Sequence, residues 1–322
     1  MKISPKIISK IYYQILRTRK IELKISEEYT EWKMRCPVHL SIGQESIAAP
    51  LSLLFKNKRY EVLSSHRAHA HFLSKGGSLF KLISEIMGKS TGCSGGRGGS
   101  MHLIDKKSGF LLSTAIVANS IPVAAGVALS KKIKKEKGLV LAFFGDGAVE
   151  EGVFYETINF SIIKNLPIIF ICENNRYSVY SKMEVRQPKD RKIHKMVEKI
   201  GIKSLFSNGL DAAEIYQKYL YAKNYVEKKN KPIFLEFNTY RYLEHCGPFD
   251  DDNLKYRPKK EVDFWKKNDP LIILEKKYNK ILNKKKIKFF NKKISHEINM
   301  SFNKAKKSKF PKSNTNKNEI YA

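Results

Sequence analysis

No two cysteines of this chain stand close enough in sequence to suggest a shared metal or redox pair. The four, Cys36, Cys93, Cys172 and Cys246, form no C-x-x-C motif and show no disulfide framework. Their spacing excludes the common zinc modules and implies a reducing compartment, read here as the cytoplasm. Acidic residues are few as well, 31 against 61 Lys and Arg, giving a formal net charge of +30. Such an excess invites a polyanion-binding reading. Arginine, the better fork for bases and phosphates, is also scarce, 11 of those 61, and the lysines are spread along the chain. There is no zinc-finger, homeodomain or RNP signature, so a lysine-rich solvated surface is expected, with no specific nucleic-acid partner. No signal peptide is visible. The 110–129 stretch has transmembrane length, yet Ser113, Thr114, Asn119, Ser120 and Pro122 interrupt it. It reads as a buried loop and a core helix, with no membrane partner. A G-x-G-x-x-G opening a helix and a Walker P-loop are both missing, which excludes the usual dinucleotide and nucleoside-triphosphate folds.

What is present centres on residues 139–177. The apolar run Val140 to Phe144 meets Gly145-Asp146-Gly147, and then Val153, Ile158, Ile162 and Ile163 recur at helical spacing. A second apolar run, Ile168 to Cys172, ends in Glu173-Asn174-Asn175. This is strand, tight turn, helix, strand, with runs suited to parallel strands buried on both faces. The turn places the amides of Gly147 and Ala148 at a helix N-terminus, where an anion is favoured. Asp146 would repel a phosphate there unless a divalent cation lies between them. Mg²⁺ takes oxygen ligands from one or two protein groups plus phosphate, and Asn175 offers an amide oxygen from the same rim of the sheet.

Gly-Asp-Gly, 26 residues and Asn-Asn resembles the diphosphate motif of thiamine-diphosphate enzymes. Other pieces are similar to alpha subunits of thiamine-diphosphate 2-oxo acid dehydrogenases, the pyruvate, branched-chain and acetoin group. These are HLSIGQE from His39, SHRAHA from Ser65, GRGGSMHL from Gly96, Ile116-Val117, ENNRYS from Glu173, TYRY from Thr239 and EIYA from Glu319. The resemblance implies an α/β thiamine-diphosphate-binding fold, mostly parallel, with helices on both faces and a helical C-terminal extension. It implies Asp146, Asn175 and the Tyr177 carbonyl as Mg²⁺ ligands, and Arg67 and His245 on the diphosphate with His66 nearby. Backbone at Val117, Gly145, Gly147 and Ala148 would line the cofactor, and His39 and His69 would stand near the thiazolium, making His245, His69 and His39 the candidate catalytic set. One chain of 322 residues has room for the diphosphate half only. A beta subunit would supply the pyrimidine half and its glutamate, in a two-plus-two assembly, and a lipoyl acyltransferase would take the acyl group. Two departures stand out. The loop after TYRY reads EHCGPFD, without the family's regulatory serines, and Ala118 replaces the glycine after Ile-Val. The substrate expected is a small 2-oxo acid or an acetoin-like compound. A carboligase or transketolase-like half-enzyme in sugar or surface-polysaccharide synthesis, and a basic polyanion-binding protein, are the alternatives.

Elsewhere one domain is expected, with a helical lead-in over 1–60 and an extension from about 265. Residues 6–20 read as a helix, and an apolar helix should follow Glu45 as far as Phe55. Glu61–Ser64 and 232–237 read as strands, and 211–225 as a helix. The latter strand would carry Arg241, Glu244 and His245 to the rim, ahead of the acidic run 250–252. Ser65 to His71 is read as a channel wall mixing Arg67 with His66 and His69. The glycine-rich 92–101 loop is read as backbone passing close to a ligand or partner, and 182–195 as an exposed, mobile loop.

Overall fold

A computed structural model describes residues 3–31, 33–34 and 36–312; the EIYA motif and the polar tail around it lie outside the described residues. Among the described residues eight strands occur in chain order: β1 Glu61–Ser64, β2 Phe110–Ser113, β3 Val140–Gly145, β4 Ile168–Asn174, β5 Tyr177–Ser178, β6 Ser181–Lys182, β7 Lys203–Ser207 and β8 Ile233–Asn238. Six of them form one parallel sheet in the order β2-β1-β3-β4-β8-β7. β5 and β6 make a separate antiparallel hairpin.

Alternation along the central strands explains why both faces are covered. Leu141, Phe143, Ile169, Ile171, Ile233 and Leu235 point to one side, where they meet helices Pro5–Tyr29, Leu79–Ile86, Ala212–Lys229 and Lys284–Lys307. Val140, Ala142, Phe144, Ile168, Phe170 and Phe234 point to the other, against helices Ser120–Ile133, Gly152–Ile163 and Ile193–Ile200. Each large apolar side chain buried this way contributes about 1.5–3 kcal/mol. The alpha/beta layering expected from the sequence is the observed one.

Several expectations need correction. The apolar helix after Glu45 is two four-residue helices, Glu45–Ala48 and Leu51–Leu54. Pro50 between them has no N–H to continue the first. The first helix is longer than 6–20: it begins at Pro5, with the Ser4 hydroxyl accepting from the Ile7 amide, and runs to Tyr29. The helical extension begins at Lys259, before 265. Strands β2, β5, β6 and β7 carried no clear alternating pattern in sequence and were not anticipated.

The charge has a local account. Basic residues occupy the last turns of many helices: Lys131 and Lys132, Lys228 and Lys229, Lys266 and Lys267, Lys276 and Lys277, and Lys304, Lys306 and Lys307. Cations there oppose the helix macrodipole. All four cysteines are free. Among the described residues no helix is long and apolar enough to cross a membrane.

From β1 the chain crosses to β2 on one side, and from β3 to β4 on the other. The connections diverge between β1 and β3, which makes a crevice at the C-terminal ends of those two strands. Ser65-His66-Arg67 and Asp146-Gly147 follow those ends directly.

Candidate functional site

The crevice is a cavity walled by the β1 and β3 ends, the turn after β4, the Val117-Ala118 loop and the His39 and His245 loops. Of the residues given a catalytic, cofactor or metal role from the sequence, all but His69 line it.

On the floor, β3 ends at Gly145 and the chain makes a single 3-10 turn, Asp146–Glu150, before helix Gly152–Ile163 starts. The Gly147 and Ala148 amides therefore belong to this turn and not to the α-helix itself. Asp146 is 1% exposed. Burial pushes its carboxyl above the usual range, and the Arg186 guanidinium, whose Nη2 donates to Oδ2 at 2.5 Å, opposes that shift.

The ENNRYS turn is built by two asparagines. Asn174 Oδ1 accepts from the Arg176 amide and Asn175 Oδ1 from the Tyr177 amide, each at 3.0 Å. Arg176, which follows them, takes the left-handed conformation, φ 68°. Asn175 is steadied further by its Nδ2, which donates to Gln44 Oε1 at 3.2 Å. Gln44 comes from the HLSIGQE stretch, so that motif serves the turn. Glu173, one residue before Asn174, also lines the cavity; its Oε1 meets His71 Nε2 at 3.1 Å, and His71 Nδ1 meets Ser64 Oγ at 2.9 Å.

Opposite lies a group of three imidazoles. The ring centroids of His39 and His66 are 4.8 Å apart, and each lies 5.2 Å from that of His245. Burial first, and then the Arg67 charge, push His39 down to about 2 and His66 and His245 to about 3. All three are neutral at neutral pH. Arg67 is buried and donates Nη1 to the Leu40 carbonyl at 2.6 Å and Nη2 to the His245 carbonyl at 3.0 Å. It thus holds the two histidine loops together and adds positive charge to the wall.

His69 stands elsewhere. It is fully buried, with Nδ1 at 2.9 Å from Glu22 Oε1 and Nε2 at 2.9 Å from Ser100 Oγ. Glu22 Oε2 accepts from the Ser41 amide at 2.9 Å. Helix His69–Lys75 turns this residue toward the first helix, where it ties three motifs together. Arg241 and Glu244 also miss the cavity: Arg241 donates to the Val179 carbonyl and the Tyr256 hydroxyl, and Glu244 accepts from the Phe249 amide. Only His245 of that trio reaches it. In the glycine-rich loop the amides of Ser94, Gly96, Gly98 and Gly99 donate to the buried Glu85 carboxylate. Its last residue, Met101, does line the cavity.

The 182–195 segment is largely exposed, as expected, but it is not all loop: it contains the helix Met183–Arg186 and the start of helix Ile193–Ile200, and Gln187 and Ile193 are buried. Arg186, Gln44 and Glu173 are the contributors that sequence reasoning did not assign. Gln44 and Glu173 sat inside quoted motifs; Arg186 gave no signal.

These residues fit a magnesium-diphosphate group. Asp146, Asn175 and Tyr177 bring carboxylate, amide and carbonyl oxygens, the hard donors Mg²⁺ prefers, to residues that line the cavity. Arg67 and His39 line it too, and His39 Nδ1 is buried without a hydrogen-bond partner. A buried orphan of that kind calls for a ligand or water.

A model of the family described as dehydrogenase E1 component matches residues 13–314. Similar proteins include the pyruvate dehydrogenase E1 component subunit alpha of Rickettsia bellii (strain RML369-C), 36% identical over 274 residues, 84% of this chain and 82% of that one. The subunit of the same name from Rickettsia felis is 36% identical over 267 residues, 83% of this chain and 80% of its own. The mitochondrial alpha-1 subunit of Arabidopsis thaliana is 33% identical over 297 residues, 91% of this chain and 74% of its own.

Proposed function

The chain belongs to the dehydrogenase E1 component family, as the alpha subunit of a thiamine-diphosphate-dependent 2-oxo acid dehydrogenase, and from that premise we propose how its residues share the work. Pyruvate is the substrate proposed first, as the relatives' names suggest. The observation that carries the assignment of residues is that Asp146, Asn175 and Tyr177 line one cavity together with Arg67 and three histidines.

Asp146, Asn175 and the Tyr177 carbonyl would hold Mg²⁺, with Gln44 orienting Asn175. Arg67 and His245 would meet the diphosphate, and the amides of Gly147 and Ala148 would close around it beside Val117 and Gly145. Thiamine diphosphate, when bound, supplies the carbanion chemistry that breaks the bond beside an oxo group. His39 and His245, kept neutral, can each accept a proton or donate one N–H as charge changes nearby. His66 stands between them as a third such group. His69 positions the wall from behind it.

We propose that a beta subunit completes the site in a two-plus-two assembly, and that a lipoyl acyltransferase receives the product. In support, Ile116, Val117 and Val179 expose 65%, 50% and 42% of their surfaces on or next to the cavity wall. A second chain over them would exclude water from the reacting groups. The test is to reconstitute both subunits and follow reduction of an artificial electron acceptor. Pyruvate should support it, and acetoin or branched-chain oxo acids should do so poorly. Equal or better turnover with those compounds would remove pyruvate from first place. Condensed product without acceptor reduction would make the enzyme a carboligase.

A further inference from the structure

The two carboxylate oxygens of Asp146 have different surroundings. Oδ2 is taken by Arg186 Nη2 at 2.5 Å, in a pair whose side chains are 12% and 2% exposed. Arg186 is fixed from behind: Nη1 pairs with Glu150, and Nε donates to the Ser181 carbonyl at 3.2 Å. Gln187 braces the same corner, its Nε2 donating to Glu150 Oε1 at 2.8 Å and to the Asp146 carbonyl at 3.4 Å. Two carboxylates thus share one guanidinium, so the corner keeps a net negative charge toward a cation. Oδ1 is the oxygen that Arg186 does not hold.

We propose that Arg186 is a specificity-determining residue for the metal: by holding Oδ2 it makes Asp146 a one-oxygen ligand, and so selects small octahedral cations such as Mg²⁺ over Ca²⁺. Ca²⁺ collects about six to eight oxygens and gains from carboxylates that offer both, whereas Mg²⁺ needs six at shorter distance and is satisfied by one from each carboxylate. Arg186 denies the second oxygen to the larger ion and leaves the smaller one unhindered. Its charge-assisted bonds also fix the orientation of the carboxylate before any metal arrives. The inference rests on the proposal that Asp146 is a metal ligand.

The experiment measures thiamine diphosphate affinity of the assembled alpha-beta complex by calorimetry, once with Mg²⁺ and once with Ca²⁺. In Arg186→Gln the Mg²⁺-over-Ca²⁺ preference should fall by roughly tenfold, about what loss of one charge-assisted hydrogen bond supplies. Arg186→Lys keeps a cation but cannot bridge Asp146 and Glu150, and its preference should fall by about threefold. An unchanged ratio in either variant, once circular dichroism shows it folded, overturns the inference. Asp146→Asn tests the underlying assignment separately: if it binds the cofactor as tightly as wild type with Mg²⁺, Asp146 is no ligand, whatever Arg186 does.

Discussion

Glu85 Oε1 accepts a hydrogen bond from the Gly98 amide at 2.6 Å, and this contact accounts for the glycine-rich loop. The same carboxylate takes the amides of Ser94 at 2.7 Å, Gly96 at 3.0 Å and Gly99 at 3.3 Å. Glu85 is fully buried on helix Leu79–Ile86. A Cβ at Gly92 would stand 2.1 Å from Glu85 Oε2, and one at Gly98 equally close to the His102 carbonyl. The loop is a backbone nest filled by the protein's own anion.

Replacing Glu85 by Gln puts an NH₂ group among those amides, and a buried donor then faces donors. Stability should fall by about 2–3 kcal/mol, seen as a lower urea midpoint with unchanged slope. An unaltered midpoint would mean that the nest is not what orders the loop.

His69 should behave as a structural residue. His69→Phe leaves Glu22 buried beside an apolar ring, and a loss of about 3 kcal/mol is expected. The apparent cofactor KM of the folded fraction should stay near wild type. A large rise in KM at full stability would place His69 at the chemistry after all.

The histidine group sets an acid limit. The folded-state values of His39, His66 and His245 lie below the ordinary 6.5, so between about 3 and 6.5 the unfolded chain binds more protons than the folded one. Stability is therefore fully present above pH 6.5 and declines as pH falls toward 3. His66→Phe should flatten the decline in Tm between pH 7 and 5. Parallel profiles for variant and wild type would show that these residues do not govern it.

Ala118, where the resembling family has glycine, adopts φ 63° while 4% exposed. A left-handed alanine costs about 1 kcal/mol relative to glycine, partly offset by the looser unfolded chain. Ala118→Gly should therefore raise stability by roughly 0.5–1 kcal/mol, measured by urea unfolding. A clear loss would mean that the methyl group's packing outweighs its strain.

The parts of the site legible in sequence were those whose signal is local. Val140 to Asn175 spells strand, turn, helix and strand within one segment, and the phosphate-side logic of Asp146 and Asn175 follows from that order. Glu85 could not be matched to its loop, because the nest depends on glycine conformations that sequence does not state. His69 looked like a neighbour of His66, three residues away; the helix it starts turns it to Glu22 instead. Arg186 lies 40 residues beyond Asp146, in a polar stretch with no periodicity. Only folding reveals such a pairing.

Native mass spectrometry of the assembled complex in Mg²⁺, wild type beside Asp146→Ala, tests the central assignment most directly. The account predicts two alpha and two beta chains carrying thiamine diphosphate in the wild type, and the same assembly without cofactor in the variant. An Asp146→Ala complex that still carries thiamine diphosphate would contradict it.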